Sequence, residues 1–324
     1  MDSTQQTIYA GVDVAKEEVV VCVLPGAHRI TVDRDDQGLA KLIEFCKQHG
    51  VHYVIVEASG GYEAAVEAAC FEHKLEVCRV NPRQVRDFAR GIGRLAKNDR
   101  LDAEVLAHFG QCVQPRPLEK TPEKQQQLHD LVTRRRQLVT MKTAETNRRE
   151  KATTKLAIRS LKASLAFLTK QIAKLDAEIA RLIDADDSWR NTNGILQSMP
   201  GVGPATSATL IAELPELGKL NPQQVASLVG VAPFDHDSGK MKGQRSIWGG
   251  RKSVRSVLYM AAVSAKRCNP TLHVFAERLK RAGKKNKVIL TAVMRKLLVI
   301  CNTMIKNNTP WQPGLATEMA LPTT

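Results

Sequence analysis

Two carboxylates open the stretch GRLAKNDRLDAEVLAHFG, at Asp99 and Asp102. From Leu101 onward its apolar residues fall at helical spacing, and residues three apart on a helix sit one above the other, so like charges stack on one face. In a partly buried site such repulsion costs several kcal/mol unless a cation lies between the groups. Two further acids stand where strand patterns end: Asp13 in GVDVAKEE, just before a polar turn, and Glu57 at the close of VHYVIVEA. In open α/β sheets the carboxyl edge of the strands is where ligands collect. Four carboxylates meeting there call for hard divalent cations with oxygen ligands, so magnesium or manganese is expected. Two such ions about 3.5–4 Å apart are the usual clamp for displacement at a phosphodiester. Taken singly, each acid reads equally well as a helix cap or a solvated charge; the joint arrangement carries the metal reading.

A second stretch able to do chemistry is DHDSGKMKGQRSIWGGRKSVR. Ser238 lies in a glycine-rich segment with Lys240, Lys242, Arg245, Arg251, Lys252 and Arg255 around it in sequence. A serine hydroxyl is a poor nucleophile near neutral pH and needs a base, a metal or nearby positive charge; without them a loop serine is a turn former. From Ser238 to Lys306 seventeen Lys and Arg residues face one acid, Glu277, which accounts for the net charge of +15. A folded phosphate-binding surface is expected there, with Lys240 to Arg255 as its candidate nucleic-acid contacts. Upstream, LQSMPGVGPATSATLIAEL sets Gly201 and Gly203 between two helical patterns. It reads as a helix-hairpin-helix element whose backbone N–H groups meet phosphate, or as a plain turn between packed helices.

The elements that must position these groups fall into three regions. Residues 1–117 alternate strand and helix patterns: TIYAGVDVA, EEVVVCVLP and HRITVDRD predict an antiparallel meander. GLAKLIEFCKQHG, VHYVIVEA, GYEAAVEAACFEHK, LEVCRVNP and PRQVRDFARGI then predict α-β-α-β-α. The order β-β-β-α-β-α-β-α is that of an α/β sheet with a leading meander. Residues 118–188 are purely helical; Leu161, Leu165, Leu168, Ile172, Leu175, Ile179 and Leu182 keep an unbroken a/d spacing. A coiled-coil hairpin is expected, pairing within one chain or between subunits. Residues 189–324 form a basic, mostly helical region.

The pI near 9.6 points to a polyanionic partner, nucleic acid before anionic membrane. No apolar run suggests a membrane span, and the first residues, MDSTQQTIYAG, lack the basic and apolar segments of a signal peptide, so a cytoplasmic protein is expected, nucleoid-associated when bound to DNA. The seven cysteines show no CxxC pair and read as reduced thiols rather than a zinc site.

Together these words carry a resemblance. The order Asp, Glu, Asp-x-x-Asp on this scaffold resembles the RuvC-like branch of the ribonuclease H fold. GVDVAK, VEASGGY, KNDRLDAEVLA, MPGVGPATSATLIAEL and LVGVAPFDHDSGKMKGQRSIWGGRKSVRSVLYMAA, in this order, resemble the DEDD transposases of the insertion sequence 110 family and the related Piv-type DNA invertases. The resemblance spans nearly the whole chain. It implies a transposase whose metal tetrad is Asp13, Glu57, Asp99 and Asp102 and whose Ser238 attacks DNA to form a covalent phosphoserine link. The implied partners are double-stranded donor and target DNA, an element-encoded guide RNA, and further copies of the chain in a dimer or tetramer. Ser59 and Asn98 stand where threonine is more usual in the family, at positions that are not ligands. A Holliday-junction resolvase using water at the same carboxylates, an actin-like ATPase and a non-enzymatic DNA-binding protein are the competing expectations.

Overall fold

The computed structural model describes residues 7–94, 99–235, 243 and 245–313, with positions 99 and 100 described by their backbone. The chain divides into two compact units, Met1–Thr121 and Pro122–Thr324.

In the first unit the valine-rich runs become strands. β1 (Tyr9–Val14), β2 (Glu18–Leu24) and β3 (His28–Asp33) form the antiparallel meander. After α1 (Asp36–Gln48), capped by the Asp35 carboxylate accepting from Gly38 N at 2.8 Å, β4 (Tyr53–Glu57) pairs parallel to β1. β5 (Glu76–Val80) follows α2 (Glu63–Glu72) and pairs parallel to β4. The sheet order is β3-β2-β1-β4-β5, so β1 is central. It is followed by α3 (Pro82–Gly91), started by Asn81 with Pro82 at its first position, and α4 (Asp99–Val113). The predicted order of strands and helices is met through α3, and the acid-bearing stretch adds one helix more.

Alternation along β1 divides the core. Ala10, Val12 and Val14 join Leu42, Ile43, Val66 and Cys70 from α1 and α2 on one face. Tyr9 joins Ile55, Val85, Leu106 and Phe109 on the other, beneath α3 and α4. There α4 lies unusually close to the sheet. A Cβ at Gly11 would overlap the Ala103 carbonyl and the Ala107 amide, and one at Gly110 would press on Ile55 and Tyr9.

The second unit begins with α5 (Glu123–Lys151) and α6 (Lys155–Asp184), each about 44 Å long at 1.5 Å per residue. They run antiparallel, with Arg135 of α5 paired to Asp176 of α6. Of the predicted seam, Leu168 and Ile179 are buried, and Leu161, Leu165, Ile172, Leu175 and Leu182 are half-buried. Phe167 stays 60% exposed and Leu156 79% exposed. At the base of the hairpin, Leu128, Val132, Ile179 and Ile183 enter one core with the helices that follow. These are α7 (Asp187–Ser198), α8 (Pro204–Glu213), α9 (Pro222–Val229), α10 (Lys252–Cys268), α11 (Pro270–Arg281) and α12 (Asn286–Lys306). A two-strand ribbon, β6 (Pro233–Phe234) with β7 (Ser246–Ile247), lies between α9 and α10. α12 has the length and hydropathy of a membrane span, which the reading of apolar runs did not anticipate. It is the domain's central core helix, with Ile289, Val293, Leu297, Ile300, Cys301 and Met304 among its buried residues.

If the α4 contact requires the missing side chain at Gly11, Gly11→Val will lower stability by about 1–3 kcal/mol through overpacking. Urea unfolding followed by circular dichroism measures this; an unchanged midpoint would mean that α4 is not seated on β1.

Candidate active site

The sheet brings two of the predicted acids side by side. The parallel ladder pairs Tyr9 with Tyr53 and continues to Val12 with Val56. The next step of that register aligns Asp13 with Glu57, on strands about 4.8 Å apart. Both share the face of Gly11 and Ile55, because residues two apart on a strand point the same way. That face carries α4. Gly11 lies against Ala103 and Ala107, whereas Tyr9 and Ile55 lie against Gly110, so α4 runs opposite to β1 and its first turn overlies the Asp13 and Glu57 end. Asp102 is one turn before Leu106, whose Cβ faces Gly11, and Asp99 is the first residue of the helix. Asp13, Glu57 and Asp102 are all half-buried. The side chain of Asp99 lies outside the described residues, and among the described residues no three His, Cys, Asp or Glu side chains are gathered closely enough to hold a metal ion. The α4 N-terminus contributes the positive end of its dipole at this edge, worth roughly 0.3–1 kcal/mol to a nearby carboxylate.

The loop that follows Glu57 is fixed by an acid that the sequence reading passed over. Glu63, 7% exposed, accepts from Gly61 N at 2.8 Å, Ser59 N at 3.1 Å and Ser59 Oγ at 3.3 Å. Burial pushes its carboxyl up. The backbone N–H groups of Glu63, Gly61 and Ser59, together with the charge of Arg79, outweigh this and hold it below the ordinary carboxylate value. Gly60 and Gly61 have φ of 78° and 111°, which lets the chain turn sharply enough to bring these amides onto Glu63. Behind the loop Glu67, also buried, takes both arms of Arg79, with Nε at 2.6 Å. On the other side Arg34 Nε donates to the Lys16 carbonyl at 2.8 Å, and its guanidinium stacks 4.9 Å from the Tyr62 ring centroid. This ties the turn after Asp13 to the loop after Glu57. Glu104, two residues beyond Asp102, is held by Arg29 and Arg94. The signal for the loop lock was present in SGGYE, a serine and two glycines followed by an acid in the first turn of a helix.

In the second unit Ser238, Lys240 and Lys242 lie outside the described residues. At the edge of that segment Asp235 pairs with Arg245 at 2.5 Å, next to the β6 and β7 ribbon. Gly230 and Gly250, both at positive φ, bring the two sides of the ribbon's base together so closely that a Cβ on either would overlap the other strand's backbone. Arg251 is engaged internally: its two arms reach Glu216 at 2.6 and 2.5 Å, and one also donates to the Glu213 carbonyl at 2.8 Å. Burial pushes the Glu216 carboxyl up, but Arg251 overrides it and holds the group below its usual value. Arg255 donates to the Gly249 carbonyl. Lys252 is exposed at the first position of α10. Gly201, at φ 104°, packs against the Ala265 backbone of α10. Gly203 is the exposed N-cap of α8, with open space at its Cβ position.

Two family models match the chain: "DEDD_Tnp_IS110: Transposase" over residues 10–157 and "Transposase IS116/IS110/IS902 family" over residues 193–277. The pilin gene-inverting protein of Moraxella bovis is 29% identical over 321 residues, covering 94% of this chain and 97% of that protein. The corresponding protein of Moraxella lacunata is 28% identical over 319 residues, with the same coverage. An uncharacterized 43.6 kDa protein of insertion element IS110 from Streptomyces coelicolor is 25% identical over 169 residues, 51% of this chain and 40% of that protein. Among solved structures, RuvC of Thermus thermophilus in complex with a Holliday junction substrate aligns over 35% of this chain and 100% of its own, at 18% identity and a TM-score of 0.28.

The lowered Glu63 sets a pH dependence. A carboxyl depressed in the folded state contributes stability that is complete above the unfolded value near 4.5 and is lost as the pH falls through the folded value. Glu63→Gln is therefore expected to lower stability by about 1–2 kcal/mol at pH 7. The gap from wild type should close as the pH drops below 4.5, and a gap independent of pH in urea titrations would contradict this assignment.

Proposed function

The chain belongs to the IS110 family of transposases, and from that premise we propose that it exchanges DNA strands with a divalent-metal carboxylate site and a serine nucleophile that forms a covalent link to DNA. It is an enzyme of DNA strand transfer and recombination, the transposase of an insertion sequence. In our reading the first unit is a RuvC-like ribonuclease H domain, supported by the meander, the central β1 and the order β3-β2-β1-β4-β5. Asp13, Glu57, Asp99 and Asp102 hold magnesium or manganese. The observation that carries this is the alignment of Asp13 with Glu57 on neighbouring parallel strands beneath the first turn of α4. The proposed donors are all carboxylate oxygens, which suits hard cations better than zinc. A divalent ion at this edge supplies charge neutralisation and Lewis-acid polarisation of the phosphodiester.

Ser238 then acts as the nucleophile. Its Oγ forms a bond to phosphorus and gives up its proton, the bond from phosphorus to the leaving deoxyribose oxygen breaks, and that oxygen takes a proton. The phosphoserine diester keeps the energy of the broken linkage, so attack by a hydroxyl of another strand rejoins DNA without ATP. Lys240, Lys242, Arg245, Arg251, Lys252 and Arg255 belong to the segment that delivers the serine. Arg251 and Arg255 act there by holding the backbone, with Glu216 and the Gly249 carbonyl as their partners. The turn at Gly201 and Gly203 serves as a helix-hairpin-helix contact to double-stranded DNA, through the exposed side at Gly203. The α5 and α6 hairpin forms a coiled coil between copies of the chain, a dimer or tetramer, supported by the exposed Phe167, Met141 and Leu156. An element-encoded RNA gives target choice; the net charge of +15 accommodates RNA and DNA alike.

Ser238→Ala should abolish a covalent protein–DNA adduct, trapped by denaturing electrophoresis on a labelled element end, while DNA binding changes less than about threefold. Asp102→Asn should abolish adduct and cleavage together. An adduct that persists in Ser238→Ala sinks the serine step, and cleavage to free ends in that variant would make water the nucleophile.

A further inference from the structure

Three of the six cations that the sequence groups around the serine have partners within the fold, which raises the question of which other cations meet phosphate. Arg245 faces Asp235, Arg251 faces Glu216, and Arg255 faces the Gly249 carbonyl. The cations of α10 to α12 differ. Between residues 252 and 306 the single acid is Glu277, and it sits 3.8 Å from Lys280.

Among these helices lies a cleft of about 550 Å³ lined by Val263, Lys266 and Arg267 of α10, His273 of α11, and Asn286 and Leu290 of α12. No acid lines it, and among the described residues Lys266 and Arg267 form no ion pair with a carboxylate. His273 Nδ1 lies 3.0 Å from the Lys266 carbonyl and donates to it, which fixes the ring in the wall of the cleft. The cleft receives the first turn of α12, a 21-residue helix whose N-cap, Lys285, makes no side-chain cap, so its leading N–H groups have no side-chain acceptor. Lys284, Lys285 and Lys287 stand exposed around that turn. A concave site with exposed cations at its rim, the start of a helix in its lining and no carboxylate among its lining residues is complementary to successive phosphates rather than to a flat surface.

We propose that this cleft is a nucleic-acid backbone site, taking two or three successive phosphodiesters of a strand through Lys266, Arg267, Lys287 and the first turn of α12. The assignment rests on the reading of the chain as a DNA-acting transposase and moves the main phosphate contacts from the serine segment to the α10–α12 face. Duplex DNA and structured RNA share this chemistry, and the test separates them.

The full-length protein is titrated with a 30-base-pair duplex and, separately, with a folded RNA hairpin at several salt concentrations. The proteins compared are wild type, Lys266→Gln/Arg267→Gln/Lys287→Gln and, as a variant confined to exposed residues, Lys284→Gln/Lys285→Gln/Lys287→Gln. Each phosphate contact contributes about 0.9 to the slope of log K against log salt on duplex DNA. The first variant should therefore flatten that slope by roughly two to three and weaken binding tenfold or more at the lowest salt, with the thermal midpoint within a few degrees of wild type. The second should flatten it by at least one. An effect on the duplex alone assigns the cleft to DNA, and an effect on the hairpin alone assigns it to RNA. Slopes unchanged in both variants with both nucleic acids would overturn the proposal, whereas a wild type that binds neither acid would overturn the transposase reading itself.

Discussion

The placement of the acids in the first unit depends on how closely one helix approaches one strand. α4 sits on β1 where Gly11 has no side chain, facing Ala103 and Ala107, and where Gly110 admits Ile55 and Tyr9 from the sheet. Small residues on both surfaces replace side-chain interdigitation with near contact of backbones. A packed interface has discrete arrangements rather than a continuum of them, so this contact fixes the helix in rotation as well as in height. Turning α4 by one residue would rotate its surface by about 100° and carry Asp102 away from the Asp13 edge. The placement of the acids is therefore a packing result: nothing in their own electrostatics would hold them together, since like charges repel.

The surrounding acids make the contrast plain. Glu63 and Glu67 are the most buried carboxylates of the unit, and each has dedicated donors: the Ser59 and Gly61 amides for one, both arms of Arg79 for the other. Their charges are spent on shaping the loop that leaves β4. Asp13, Glu57 and Asp102 are less buried and lie on the one edge where two parallel strands end under a helix start. The Arg34 bridge from Lys16 to Tyr62 braces that edge from the outside without adding another acid.

Much of this was legible in the sequence. The β-branched runs of β1, β2 and β3 gave the meander and that of β4 a buried strand, because burial on two faces leaves near-continuous apolar runs in the chain, and the i, i+3 acids before a helical apolar spacing gave a helix start. The close approach at Gly11 was not legible, since a glycine inside a strand reads only as a weak point until the helix facing it is known. Arg251 and Arg255 looked like phosphate contacts because their partners, Glu216 and the Gly249 carbonyl, become neighbours only through the packing of α10. Gly201 likewise read as a phosphate-exposing turn, and the structure uses it to admit Ala265 of α10. α12 is apolar along most of its length, and periodicity does not distinguish a central core helix from a membrane span.

The same lesson applies to positive charge. A surplus of fifteen charges describes the chain but not its surface, because it does not say which cations are held by carboxylates or carbonyls and which face solvent. Arg136 and Ser253 both reach the buried Glu213, so α5, α8 and α10 are joined through one carboxylate, and Arg251 extends the connection to Glu216. These pairs are costly to break, since removing one partner leaves the other desolvated. The exposed lysines at the start of α12 differ: among the described residues they form no ion pair, and cations so placed lose little on meeting a polyanion, whose released counterions gain entropy. Arginines held by carboxylates or carbonyls and lysines exposed to solvent thus divide the basic sequence into a part that shapes the domain and a part that faces outward.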